Sequence, residues 1–144
     1  MKHLLVSLFL LVSVVLLAQE QETAAAPILT FDEQVFDFGE ITQGDVVEHV
    51  FTFTNTGDSP LILTNARGSC GCTVPSYQQN TPIAPGESSE MTVRFSSRGK
   101  RGMQNKTVTI TSNASNSPTQ IRITTNVLVP PPPPATEDES TGSN

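Results

Sequence analysis

Tryptophan is absent, tyrosine occurs once, and only two of the 144 residues are cysteine. Without a tryptophan and two widely separated cysteines, the core of an antibody domain cannot be assembled. Histidine is also scarce. His3 lies in the first few residues, so His49 alone remains, and no Gly-x-Ser-x-Gly elbow accompanies it. A hydrolase triad therefore lacks its parts. Gly99 and Gly102 fall in a hairpin with no helix after them, so no phosphate-cradling loop forms. Acidic residues are scattered, without the Asp-rich spacing of a calcium loop. These gaps predict a protein that is not an enzyme and needs no cofactor.

Basic residues are few as well, eight against fourteen acidic ones. That balance excludes a broad nucleic-acid surface. Arg98, Lys100, Arg101 and Lys106 fall close together and read as a solvated hairpin tip. No apolar run is long enough to span a bilayer, which takes about 20 residues. The longest, from Leu4 to Leu17, has 14 residues, interrupted only by Ser7 and Ser13. With Lys2 and His3 before it and Ala18-Gln19 after it, the run predicts a signal peptide over 1–18. No cysteine comes directly after it, so a lipid anchor is not expected. The signal implies export to the periplasm, the medium or the cell surface, with no stable membrane insertion once it is cleaved.

Residues 19–27 are expected as a linker, and 130–144 as a proline-rich acidic tail. Pro130 to Pro134 favours an extended polyproline II spacer, and the acidic remainder carries nothing apolar larger than alanine. About 100 residues lie between, enough for a single core.

That central stretch is punctuated for β structure. Val47, His49, Phe51 and Phe53 share one parity, as do Met91, Val93 and Phe95. Ile121, Ile123, Val127 and Val129 do likewise near the end. Alternation of period two is the strand signal. Turns are marked at Thr42-Gln43-Gly44-Asp45, Asn55 to Pro60, Pro85-Gly86 and Asn113 to Pro118. Pro75 to Pro82 reads as irregular. About seven short antiparallel strands at near-regular spacing predict one immunoglobulin-like sandwich over 28–129.

Several stretches in this order resemble one bacterial family. They are Phe36-Asp37-Phe38-Gly39, His49 to Gly57, Ser69-Cys70-Gly71-Cys72-Thr73 and Pro85-Gly86-Glu87. The family is the domain of unknown function numbered 1573, which is similar to the hydin and major-sperm-protein domains. The resemblance implies a seven-stranded sandwich in exported proteins, commonly of Bacteroidetes. It implies no established activity. Periplasmic pilus chaperones use a similar sandwich, but with two domains and a basic anchor.

The cysteines stand one residue apart. In an extended chain their Cα atoms would be about 6.6–6.8 Å apart, the outer limit for a disulfide. Gly71 is expected to permit the bend a Cys70–Cys72 bridge needs. Ser69 and Thr73 complete the motif. Four roles are open: packing with or without a bridge, a redox-labile pair, capture of a soft ion such as Cu(I) by Cys70 and Cys72, and intermolecular linkage. His49, on the parity of Phe51 and Phe53, reads as a hydrogen-bonded strand residue rather than a ligand. Met91 reads as core, and Met103 as a residue near a loop; neither is assigned a metal role.

The expected role is a non-catalytic binding or spacer module of the bacterial envelope, whose partner is a protein or other envelope component. The alternative is a thiol-redox or copper-handling protein using Cys70 and Cys72.

Overall fold

A computed structural model describes residues 25–132. The expected signal peptide, most of the expected linker and all of the tail beyond 132 lie outside the described residues. Eight strands occur in order: β1 Leu29–Phe31, β2 Val35–Thr42, β3 Val46–Asn55, β4 Leu63–Gly68, β5 Thr73–Ser76, β6 Ser88–Ser96, β7 Gly102–Ser112 and β8 Thr119–Leu128. They build two four-stranded sheets, ordered β1-β3-β6-β5 and β2-β8-β7-β4. The sandwich expected from the alternation is present. Among the described residues no helix is long and apolar enough to cross a membrane.

Alternation explains the core. In β3 Phe51 and Phe53 turn inward, and the β6 register sets Phe51 opposite Met91 and His49 opposite Val93. From the facing sheet, Val108, Ile110, Ile121 and Ile123 complete a continuous buried cluster. Phe31 meets Phe51 edge-on at 6.4 Å and Phe53 at 5.4 Å. Each such side chain contributes about 1.5–3 kcal/mol when fully buried. Thr52, Thr54, Thr92 and Arg94 occupy the opposite parity and face outward, as one wet sheet face requires.

Two details differ from the sequence reading. Among the described residues there are eight strands rather than about seven, because Thr73–Ser76 pairs with β6 despite its length and its proline. Pro75 and the polar residues after it hide the two-residue period. The second difference is that β2 runs parallel to β8, so this sheet is mixed rather than antiparallel. Alternation along a strand says which residues face inward, not which way its neighbour runs. The expected turn at Pro85-Gly86 is there, and Gly86 takes φ +80°, as the third position of a type II turn demands.

The N-terminal end of the described chain is tied down. Thr56 N–H donates to the Ile28 carbonyl at 3.0 Å and Asp58 N–H to the Ala26 carbonyl at 3.1 Å. A Cβ at Gly57 would run into the Ala26 carbonyl and the Ile28 nitrogen. Glycine is the residue that lets these backbones touch.

Candidate functional site

Strand β4 belongs to one sheet and β5 to the other, and only Ser69 to Cys72 join them. This short crossing sets the geometry of the cysteines. The Thr73 N–H donates to the Cys70 carbonyl at 3.2 Å, closing a turn. Ser69 N–H donates to the Thr107 carbonyl at 2.8 Å, and the Ser69 hydroxyl accepts from Thr107 N–H at 3.2 Å. On the other side Ser96 N–H donates to the Cys72 carbonyl at 2.9 Å. The turn is thus pinned to both sheets by hydrogen bonds independent of the sulfurs.

Cys70 and Cys72 are bonded to each other, with their Cα atoms 5.3 Å apart. The bend expected for such a bridge is present. Its cause differs from expectation, because Gly71 is not among the positive-φ glycines and a Cβ added to it would meet nothing within 4 Å. The tight β-turn shortens the span without left-handed backbone. The glycine that geometry does require is Gly68, where a Cβ would strike the Thr73 carbonyl.

Thr73 is 2% exposed. Its hydroxyl lies 3.6 Å from Cys70 Sγ and 3.9 Å from Cys72 Sγ, and these sulfurs are its only partners among the described residues. A disulfide sulfur carries no proton, so the hydroxyl donates. Cys72 packs against the core. Cys70 and Gly71 line an open groove of about 780 Å³ together with Arg67, Thr107, Thr109 and Gln120. Arg67 makes no ion pair among the described residues.

A three-residue ring removes little disorder from the unfolded chain. The loop-entropy relation gives about 1.6 kcal/mol, against about 3 kcal/mol for a 15-residue loop. The double variant Cys70→Ser, Cys72→Ser should therefore fold, with an unfolding free energy in urea lower by no more than about 1.6 kcal/mol. A drop twice that size would make the bridge a structural staple.

The remaining candidates lie elsewhere. His49 stacks on Phe36 at 3.5 Å, with planes 9° apart, and meets Phe51 edge-on at 4.7 Å. Its Nε2 is 2.6 Å from Glu33 Oε1. It is the hydrogen-bonded strand residue expected. Among the described residues no three His, Cys, Asp or Glu side chains gather as a metal site. Bonded to each other, Cys70 and Cys72 offer no thiolate to copper, so that alternative would need the bridge reduced first. Met91 is buried in the core and Met103 is exposed. Arg98, Lys100 and Arg101 do sit between β6 and β7, whereas Lys106 lies within β7.

The four sheet edges are unequal. At β1 the Asn116 side chain takes the place of a neighbouring strand: its Oδ1 accepts from Leu29 N–H at 3.1 Å, and its Nδ2 donates to the Leu29 carbonyl at 2.8 Å. At β4, Asn80 N–H donates to the Leu63 carbonyl and Gln79 Nε2 to the Thr64 carbonyl. At β5, Pro75 has no N–H, and the Thr73 N–H is already used by the turn. Strand β2 differs. Arg122 N–H donates to the Gln34 carbonyl, which with the parallel register turns the backbone groups of Val35 and Asp37 away from β8. Among the described residues those groups have no partner, and Val35 is 56% exposed. The sequence pattern predicted only a sandwich, a fold that leaves open edges in general. It did not distinguish β2, because the caps on the others come from distant residues such as Asn116.

Solved structures share this fold at low identity. A protein of unknown function from Porphyromonas gingivalis W83 is 18% identical, with a TM-score of 0.62 over 76% of this chain and 51% of that one. The PapD-like domain 7 of human CEP192 is 6% identical, with a TM-score of 0.60 over 79% of this chain and 94% of that one. The secreted serine protease VesC from Vibrio cholerae is 18% identical, with a TM-score of 0.54 over 73% of this chain and 24% of that one. The chain thus spans about half of the Porphyromonas protein and about a quarter of VesC. No curated protein matches it in sequence. Residues 29–127 match the family described as "Protein of unknown function (DUF1573)", and the chain belongs to that family.

Proposed function

We propose that this protein is an exported, non-catalytic domain of the bacterial envelope that holds a protein partner along the free edge of β2. The observation that carries the reading is the contrast among edges. The other three each carry a cap over part of their length, from a side chain, a proline or a turn, whereas among the described residues the outward backbone groups of Val35 and Asp37 on β2 have none and Val35 is exposed. An extended peptide added there would satisfy those groups and continue the mixed sheet. Glu33, Asp37 and Glu40 lie along the same stretch, so the partner segment would be extended, partly apolar and basic. The proline-rich tail would act as a spacer that keeps the C-terminal end of the domain extended.

The test replaces Val35 with proline, which removes an outward N–H yet suits the first residue of an edge strand. In a pull-down from its own envelope, Val35→Pro should lose the partner that the native chain recovers. Val35→Thr keeps the N–H and should retain it. Equal recovery by both variants rules out the β2 edge as the contact.

A further inference from the structure

We infer that the Cys70–Cys72 bridge is a thiol–disulfide exchange site that accepts two electrons from a dithiol partner, with Thr73 placed to donate a hydrogen bond to the departing thiolate. Four observations lead there. The bridge closes too small a ring to serve as an effective staple. The turn around it is held by backbone and serine hydrogen bonds to both sheets, so it keeps its shape when the sulfurs part. Cys70 opens on a groove, and among the described residues nothing lies within 4 Å of a Cβ placed on Gly71. Finally, the buried Thr73 hydroxyl has the two sulfurs as its only partners among the described residues. A hydroxyl spent on packing alone would more simply be the methyl of valine.

The step is set by which sulfur is reachable. A thiolate of the dithiol entering the groove attacks Cys70 Sγ. Its sulfur bonds to Cys70 as the Cys70–Cys72 bond breaks, and the electron pair leaves on Cys72 Sγ. Thr73 donates its hydroxyl proton in a hydrogen bond to that thiolate, offsetting the cost of charge beside the core. The Arg67 guanidinium in the groove, which makes no ion pair among the described residues, favours the anionic attacker. The dithiol's second thiolate then attacks its own sulfur in the mixed disulfide and releases Cys70. The partner ends as a disulfide, and Cys70 and Cys72 end as thiols after taking up two protons.

The experiment treats the folded, oxidised chain with dithiothreitol at neutral pH without denaturant, reading free thiols by mass after alkylation. The bridge should open fully while the circular dichroism spectrum stays that of the native fold. Thr73→Val should slow opening about tenfold, the loss of one hydrogen bond to a charged group, and Thr73→Ser should restore the rate. Offered oxidised glutathione, the Cys72→Ser chain should collect a stable adduct on Cys70 faster than the Cys70→Ser chain does on Cys72. A bridge that opens only when the protein unfolds overturns the inference. So does a Thr73→Val chain that exchanges at the native rate but unfolds more easily, or a faster adduct on Cys72. The site adjoins β4, and β2 lies at the opposite edge of the β4 sheet. Val35→Pro should therefore leave the exchange rate unchanged, so failure at one site leaves the other standing.

Discussion

Asn55→Ala should lower the unfolding free energy by about 3–5 kcal/mol, a large share of what a domain of this size possesses. Asn55 is fully buried at the end of β3. Its Nδ2 donates to the Ser59 carbonyl at 2.8 Å and to the Ile83 carbonyl at 3.0 Å. Its Oδ1 accepts from Gly57 N–H at 3.1 Å and from Ile28 N–H at 3.4 Å. One side chain therefore joins the segment before β1, the turn after β3 and the segment before β6. Alanine removes all four bonds and strands buried partners, each worth about 1–3 kcal/mol when unsatisfied and out of reach of water. Asn55→Asp should be no milder, because it points a carboxylate at two carbonyl oxygens and deletes both donors. Equilibrium urea unfolding measures this directly. A loss under about 1 kcal/mol would mean that water replaces the amide, and that Asn55 is not the hub of this corner.

Asn55 also shows what the sequence made legible and what it did not. The segment Asn55 to Pro60 was readable as a turn, because asparagine, glycine and proline there have local reasons to bend the chain. The partners of the amide were not readable, since Ile28 and Ile83 lie 27 and 28 residues away. The same division recurs across the fold. Inward faces of β3, β6 and β8 came from side chains two apart, which is local information. The parallel run of β2 beside β8, the strand Thr73–Ser76 and the cap by Asn116 depend on residues brought together only by the folded chain. At the cysteines the motif was conspicuous, and a bridge at the outer limit of reach was one of the roles it left open. The motif did not reveal Thr73 as the partner of both sulfurs, because a threonine after a cysteine has no signature of its own. Gly71 is the prominent glycine in the sequence, yet Gly68 is the crowded one, since only the crossing between sheets decides where a Cβ has no room.

That crowding gives the second large effect. Gly68→Ala should cost about 3 kcal/mol, the upper part of the range for an added methyl group in a packed site. The cause is steric, because Gly68 does not sit at a left-handed φ. The new Cβ would overlap the Thr73 carbonyl and press the Thr73 Cβ at 3.1 Å. Its obstacle is backbone at the start of β5, which cannot rotate aside as a long side chain would. Relief requires β4 and β5 to move apart, and that loosens the turn closed by Thr73 N–H and Cys70. Gly71→Ala is the matched control. Its Cβ points into open space within the same turn, so the variant should stay within about 0.5 kcal/mol of the native chain. The pair also separates stability from chemistry. Shifting Thr73 away from the sulfurs should slow bridge opening in Gly68→Ala, whereas Gly71→Ala leaves the hydroxyl where it is. If both alanines cost the same in urea, the close approach of β4 to β5 does not govern this corner, and the placement of Thr73 must owe its accuracy to the pairing of β5 with β6 instead.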